Sequence, residues 1–349
     1  MKQNNNVCVD NSRHLYLDIL NIAACFAVLL LHHNGMVFSF EPTAAWKESL
    51  VIECLFYWAV PVFMMISGAN LLNYRERYNT RIYFKKRFFR TVVPFLLWSI
   101  LILIWKVKIN ILEIGEVTFT QVFNLVFGYK IESVYWFFGP LFACYLIIPV
   151  LSYLVKDKKI LWYIVGLNFI FISLFPAFSV WFGVAWKIDV PITGGLVIYV
   201  ILGYLLHTTP IIKKWRIGLY SLGIMGVSFR FIYTYQKSME NHSLDTSIKG
   251  YEMFHAVFLA IAVFVIIQAV PWETIVTRTW IKNKIQKVSS YSFGIYLIHQ
   301  IVMYYERKIF LLDVTSRVWR WGGVFVTYFI SLLIVSLLKR LPKIGKVIC

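Results

Sequence analysis

The chain has few charged side chains and no polar stretch long enough to fold by itself. Charged residues make up 15% of its 349 residues, whereas about a quarter is usual in soluble domains. Hydrophobic residues make up 59%, and the mean hydropathy is +0.68. The longest polar breaks, near residues 73–90 and 109–134, have the length of loops. This composition excludes an ordinary soluble protein and indicates that lipid surrounds most of the chain.

Cysteine is also scarce. The five cysteines are Cys8, Cys25, Cys54, Cys144 and Cys349, and they have no spacing typical of metal ligands. Three of them lie in apolar segments, where a thiol behaves as a small hydrophobic group. We therefore expect neither a disulfide framework nor a metal site.

Acidic residues are few, 17 against 35 Lys and Arg, which gives a net charge of +18. In a soluble protein this excess would suggest nucleic acid. In a membrane protein, basic residues instead gather on the cytoplasmic side and set the topology. We expect a lipid bilayer and no nucleic acid as partner.

Apolar runs predict ten membrane spans in an all-α integral membrane protein. Their approximate bounds are 15–35, 48–72, 91–108, 135–155, 160–178, 188–206, 216–235, 251–270, 289–310 and 319–338. With the N-terminus inside, about two thirds of the Lys and Arg residues lie on that side, which predicts that both termini are cytoplasmic. The prediction is one transmembrane domain over 1–349, with tails at 1–14 and 339–349.

The stretch from Arg13 to Gly35 contains the first candidate for catalysis. Its apolar run is longer than the core of a signal peptide and ends on His32 and His33, so we expect a retained helix. Neutral imidazole is the commonest general base near pH 7, although a histidine at a helix end can equally be a structural residue of the interface. Adjacent helix positions point about 100° apart, so only one of the two is expected to face a given cavity.

Two further features lie in the second span. Glu53 lies at a depth comparable with His32 and could orient the imidazole; the alternative is a carboxylate that reaches the membrane surface. Pro61 predicts a kink in this span.

The densest basic cluster runs from Arg75 to Pro94. Arg87 and Arg90 are spaced to share one helix face just before the third span, where two guanidinium groups could bind phosphates of an anionic donor. The alternative is a loop that sets topology and attracts anionic lipid. Other polar candidates within or near the spans are Glu132, Glu252, His255 and His299, and the i,i+3 spacing of Glu252 and His255 would allow them to pair.

Six stretches together resemble the acyltransferase-3 family, the membrane-bound O-acyltransferases of bacterial surface glycans. They occur in the family's order over nearly the whole chain: LYLDILNIAACFAVLLLHH, VPVFMMISGANLL, FKKRFFRTVVPFLLWS, VYWFFGPLFACYLIIPVL, YVILGYLLH and VSSYSFGIYLIHQIV. The chain is similar to stand-alone members that act on enterobacterial common antigen. His32 matches the family's histidine, Arg87 and Arg90 match its paired arginines, and Asn21 stands where the family has a basic residue.

The resemblance implies a bacterial plasma-membrane enzyme that moves acetyl from cytoplasmic acetyl-CoA to a hydroxyl of a cell-surface or lipid-linked glycan. It implies that His32 is catalytic and that Arg87, Arg90 and the Asn21 position hold the donor. Glu53 is our candidate for orienting His32. The alternatives are a polysaccharide or small-solute transporter, in which acetyl-CoA has no part, and an inactive scaffold, which the asparagine at 21 would suit.

Overall fold

The computed structural model of the chain describes residues 13–112, 118–184, 190, 194–342 and 345. Most of the two predicted tails, the start of the predicted span 188–206, Cys8 and Cys349 lie outside the described residues.

All regular structure among the described residues is helical, which confirms the all-α class. The first eight α-helices are α1 (Leu15–His33), α2 (Ala44–Phe56), α3 (Ala59–Leu71), α4 (Thr80–Arg87), α5 (Val93–Lys108), α6 (Phe119–Phe127), α7 (Phe138–Leu154) and α8 (Lys158–Asn168). The other eight are α9 (Phe175–Phe182), α10 (Val197–Thr208), α11 (Lys213–Asn241), α12 (Phe254–Ala269), α13 (Trp272–Ile275), α14 (Thr279–Ser289), α15 (Ser292–Phe310) and α16 (Val324–Leu338).

Short 3₁₀ and π segments join several of these helices. The 3₁₀ segments are Gly35–Phe38, Tyr74–Glu76 and Ser133–Phe137, and the π segments are Phe88–Val92, Phe169–Leu174 and Val318–Gly323.

Within the described ranges, seven helical stretches are long and apolar enough to cross a membrane. They are Leu15–His33, Ala44–Glu76, Thr80–Lys108, Ser133–Leu154, Lys158–Phe182, Lys213–Asn241 and Val318–Leu338. The other predicted spans fall on α10 and α12, which are shorter, and on α15, whose last turns carry Glu306, Arg307 and Lys308. The number of ten spans and the side of each terminus stay predictions.

Helix α1 lies at the centre of the molecule and packs against α2, α3, α12, α14, α15 and α16. One continuous cluster of buried apolar side chains runs from Leu17 on α1 to Val335 on α16. Large apolar side chains face outward on the peripheral helices, for example Leu146, Phe182 and Phe329, each more than 60% exposed. Such an apolar exterior suits lipid, and the chain is a multi-pass membrane protein.

The second predicted span is interrupted where the proline predicts a kink. Pro61 has no N–H to donate to the carbonyl of Tyr57, and α2 ends at Phe56 while α3 begins at Ala59. The break leaves Tyr57 between the two helices, directly after the last turn of α2, which carries Glu53.

Helices α3 and α10 approach each other backbone to backbone through two glycines. A methyl group on Gly68 would lie 1.8 Å from the carbonyl oxygen of Val200, and one on Gly203 would lie 2.0 Å from that of Met65. Small residues allow this approach between membrane helices, where dispersion contacts replace the hydrophobic effect as the source of association. The contact fixes α3 against the rest of the bundle.

We predict that Gly68→Ala lowers the thermal unfolding midpoint of the purified protein in detergent, because the new methyl group overpacks the contact at a cost of about 1–3 kcal/mol. The matched control is Gly218→Ala on the exposed face of α11, where a methyl group meets no atom within 4 Å. Equal midpoints for the two variants would show that the glycine contact does not hold α3.

Candidate active site

His32, the last residue but one of α1, is half-buried and faces His299 of α15. The two ring centroids are 4.9 Å apart and the rings are nearly parallel, at 8°. Nδ1 of His32 lies 2.8 Å from Nε2 of His299. The site therefore joins two histidines that are 267 residues apart in the chain.

The partners of His299 determine which nitrogen of each ring carries hydrogen. Its Nδ1 lies 2.6 Å from the carbonyl oxygen of Tyr296, which can only accept, so Nδ1 donates. The amide nitrogen of Gln300, which can only donate, lies 3.2 Å from its Nε2. Nε2 of His299 is thus the acceptor, Nδ1 of His32 is the donor, and Nε2 of His32 keeps its lone pair.

His33 points away from this pair. It is fully buried, its Nδ1 donates to the carbonyl of Leu29 at 2.8 Å, and its Nε2 lies 3.1 Å from the hydroxyl of Thr327. The ring of Trp319 packs against it at 4.4 Å. As the helical spacing predicts, His32 and not His33 lines the cavities described next.

Three cavities lie along α1, two of them lined by His32, and we name each by one lining residue. The Asn21 cavity, of about 170 Å³, lies among α1, α3, α7 and the start of α15, and includes Tyr145 and Ser289 in its wall. The Glu53 cavity, of about 420 Å³, and the Lys106 cavity, of about 430 Å³, lie at the other end of α1.

The cavities are adjacent in a defined order. The Asn21 and Glu53 cavities share four residues in their walls, Val28, Val60, Phe137 and Tyr296. The Glu53 and Lys106 cavities share His32, Gly35 and Gln300. His32 therefore separates two cavities, of which one continues toward Asn21.

Glu53 lines the same cavity as His32, but its carboxylate has another partner. Its Oε1 lies 3.6 Å from a guanidinium nitrogen of Arg230 on α11, and that guanidinium stacks 3.6 Å from the ring centre of Tyr57. Glu53 and Arg230 are both nine-tenths buried or more. The contact with Nδ1 of His32 is made by His299 at 2.8 Å, whereas the carboxylate of Glu53 contacts Arg230. A role of Glu53 in orienting His32 stays a prediction.

A third charged side chain, Lys249, completes the group around Glu53. It lies in the loop between α11 and α12 and lines the Glu53 cavity. Burial lowers the pKa of its ammonium group, the charge of Glu53 raises it and that of Arg230 lowers it further. Lys249 and Glu53 thus face this cavity, and Arg230 pairs with Glu53 without lining the cavity itself.

Asn21 links α1 to α14. Its amide nitrogen lies 2.8 Å from the carbonyl oxygen and 3.1 Å from the hydroxyl of Ser289. It is about 16 Å from His32 along α1, eleven residues at 1.5 Å each. Asn21 lines its cavity without a charge of its own.

Arg87 and Arg90 do not share one environment, because a π segment, Phe88–Val92, begins directly after Arg87 and precedes Pro94. A proline lacks the N–H of the regular ladder, and a π turn rotates the residues that follow it. Arg90 is exposed. Arg87 is half-buried, with its guanidinium 5.5 Å from the ring centre of Tyr145, a wall residue of the Asn21 cavity, and no described residue forms a hydrogen bond with its buried Nε.

The remaining polar candidates have separate partners. Glu132 pairs with Lys106 at 2.9 Å. His255 donates from Nε2 to the carbonyl of Ile248 at 2.9 Å rather than pairing with Glu252. The sequence analysis did not predict a role for Arg230, although an arginine within an apolar span indicates a functional or paired group.

Comparison with protein families identifies the domain. A family model described as an acyltransferase domain, that of the acyltransferase-3 family, matches residues 14–338. No curated protein and no solved structure matches the chain significantly. The similarity to proteins that act on enterobacterial common antigen stays a prediction.

We predict that Glu53→Gln and Arg230→Met each destabilise the protein by about 3–5 kcal/mol, because each leaves one buried charge without its partner. The double variant should recover most of that loss, since no unpaired charge remains. Thermal unfolding of all four forms in detergent measures the coupling, and additive effects of the two substitutions would contradict a buried ion pair.

Proposed function

Because the chain belongs to the acyltransferase-3 family, we propose that it moves acetyl from acetyl-CoA on the Asn21 side to a hydroxyl of a cell-surface or lipid-linked glycan on the His32 side. The Asn21 side is then cytoplasmic and the membrane is the bacterial plasma membrane. The observation that carries the proposal is the adjacency of the Asn21 and Glu53 cavities, which offers a route between the two ends of α1.

The donor would bind from the Asn21 side. Arg87 supports this assignment because its guanidinium lies against Tyr145 and its Nε lacks a partner among the described residues. A guanidinium group binds phosphate through paired N–H donors. Arg90, exposed one turn further on, would add charge at the surface, and Asn21 would offer its amide oxygen to the pantetheine arm.

The thioester would reach His32 through the Glu53 cavity. The two cavities have four wall residues in common, Val28, Val60, Phe137 and Tyr296, which would line such a passage. Three of them are apolar, which suits the acetyl group and limits water next to the thioester.

His32 would act as the general base. Its Nε2 takes the proton of the acceptor hydroxyl while that oxygen attacks the thioester carbonyl carbon. The tetrahedral intermediate collapses with cleavage of the C–S bond, and the imidazolium returns the proton to the departing thiolate. The products are the sugar acetate and coenzyme A, and His32 ends as it began.

His299 is a positioning residue in this scheme. It accepts from Nδ1 of His32 and so keeps the lone pair on Nε2, where the base is needed. It also faces the positive charge that develops on His32 during the reaction, which an acceptor on Nδ1 stabilises.

The test is transfer of radiolabelled acetyl from acetyl-CoA to glycans in membranes that contain the full-length protein. We expect His32→Gln to lose at least about a hundredfold in rate, the usual contribution of a general base. Arg87→Gln should raise the KM for acetyl-CoA about tenfold or more, since a hydrogen bond to a charged group contributes about 1.5–3 kcal/mol. The matched controls are His33→Gln, since His33 lines none of the three cavities, and Arg81→Gln, an exposed arginine on α4.

Two results would contradict the proposal. Label equal to a vector control for the wild type, with folded protein and acceptor glycans present, would favour the transporter or the scaffold. Full transfer by His32→Gln would remove the histidine from the chemistry.

A further inference from the structure

We propose that the Lys106 cavity is the acceptor subsite and that it selects glycans carrying an anionic group, a carboxylate or a phosphate, near the hydroxyl that is acetylated. This inference rests on the proposed acyltransferase function and specifies its acceptor.

The arrangement of the cavities assigns the two substrates to opposite sides of His32. The Glu53 cavity shares wall residues with the Asn21 cavity, and the Lys106 cavity shares none with it. A donor that enters from the Asn21 side therefore reaches His32 through the Glu53 cavity. The Lys106 cavity, which meets the Glu53 cavity at His32, Gly35 and Gln300, is left for the acceptor.

The charged groups in the wall of this cavity have a positive balance. Lys106 and Arg307 supply two cations, and Glu132 supplies one carboxylate. Glu132 lies 2.9 Å from the ammonium of Lys106, and the carbonyl of Ile131 lies 2.6 Å from the same nitrogen. An ammonium group has three hydrogens, so one donor of Lys106 remains for a ligand.

Arg307 offers a ligand more hydrogen-bond donors than Lys106 does. It is exposed near the end of α15, and within the described residues no hydrogen bond or ion pair holds its guanidinium. The nearby carboxylate of Asp313 attracts this guanidinium without a hydrogen bond to it, and its two oxygens accept hydrogen bonds from the backbone N–H and the hydroxyl of Thr315. A guanidinium with five donors suits a carboxylate or phosphate group.

Aromatic rings in the same wall suit the sugar itself. Trp105, Tyr304 and Trp319 line the cavity, and the rings of Trp105 and Tyr304 are nearly perpendicular, at 87° and 5.2 Å. The indole of Trp105 is fixed by its hydrogen bond to the hydroxyl of Tyr305 at 3.1 Å. The faces of such rings carry partial negative charge and attract the C–H groups of a sugar ring.

The experiment measures binding of three probes to the full-length protein in lipid nanodiscs by calorimetry. The probes are a neutral disaccharide, the same disaccharide with one uronic acid, and the neutral disaccharide with a phosphate ester. We expect at least one anionic probe to bind about tenfold or more tighter than the neutral one, and the two anionic probes distinguish a carboxylate from a phosphate.

Variants locate the site. Arg307→Gln should weaken binding of the anionic probe about tenfold and leave the neutral probe unchanged. The double variant Lys106→Gln/Glu132→Gln should act in the same direction without leaving a buried charge unpaired. Lys308→Gln is the matched control, because Lys308 is the next residue on α15 and does not line the cavity.

Equal affinity for all three probes, or equal effects of Arg307→Gln and Lys308→Gln, would overturn the inference. Calorimetry with acetyl-CoA on the same samples separates the two proposals. Intact acetyl-CoA binding with no anion preference overturns the acceptor subsite alone, whereas no acetyl-CoA binding by the wild type contradicts the proposed function.

Discussion

The hydrogen bond between His32 and His299 is the interaction on which the site depends. One carbonyl oxygen, that of Tyr296, fixes the hydrogen of His299 on Nδ1, and this fixes the hydrogen of His32 on the nitrogen that faces His299. The lone pair of His32 is left on Nε2. Without a fixed partner, the neutral imidazole would populate both tautomers, and only the one with a lone pair on Nε2 could accept the proton. His299 therefore keeps His32 in the tautomer that proton transfer requires.

The packing of the helices holds His32 and His299 beside the cavities. Helix α1 lies at the centre, and α3 is held against α10 by the contacts of Gly68 with Val200 and of Gly203 with Met65. The break before Pro61 places Tyr57 and Glu53 at the cavity wall. The ion pair of Glu53 and Arg230 ties α2 to α11 across that wall. The charges of Glu53 and Arg230 thereby neutralise each other in the apolar interior, and their contact holds α2 and α11 in position near His32.

Much of the fold could be predicted from the sequence because it follows local patterns. Apolar length predicted the helices, Pro61 predicted the break, and the 100° step between neighbours predicted that His32 and His33 face different surroundings. Pairs far apart in the chain could not be predicted: nothing near His32 indicates His299, and nothing near Glu53 indicates Arg230. The different exposure of Arg87 and Arg90 could not be predicted from their spacing either, since a π segment begins directly after Arg87 and includes Arg90.

The most direct test of the histidine pair is the tautomer of His32, measured by ¹⁵N NMR on histidine-labelled protein in lipid, with His32→Gln used to assign its signals. We expect hydrogen on Nδ1 and a lone pair on Nε2 in the wild type, and loss of that preference in His299→Leu. His32 with its hydrogen on Nε2, or a tautomer that is unchanged when His299 is replaced by leucine, would contradict the central role of the histidine pair.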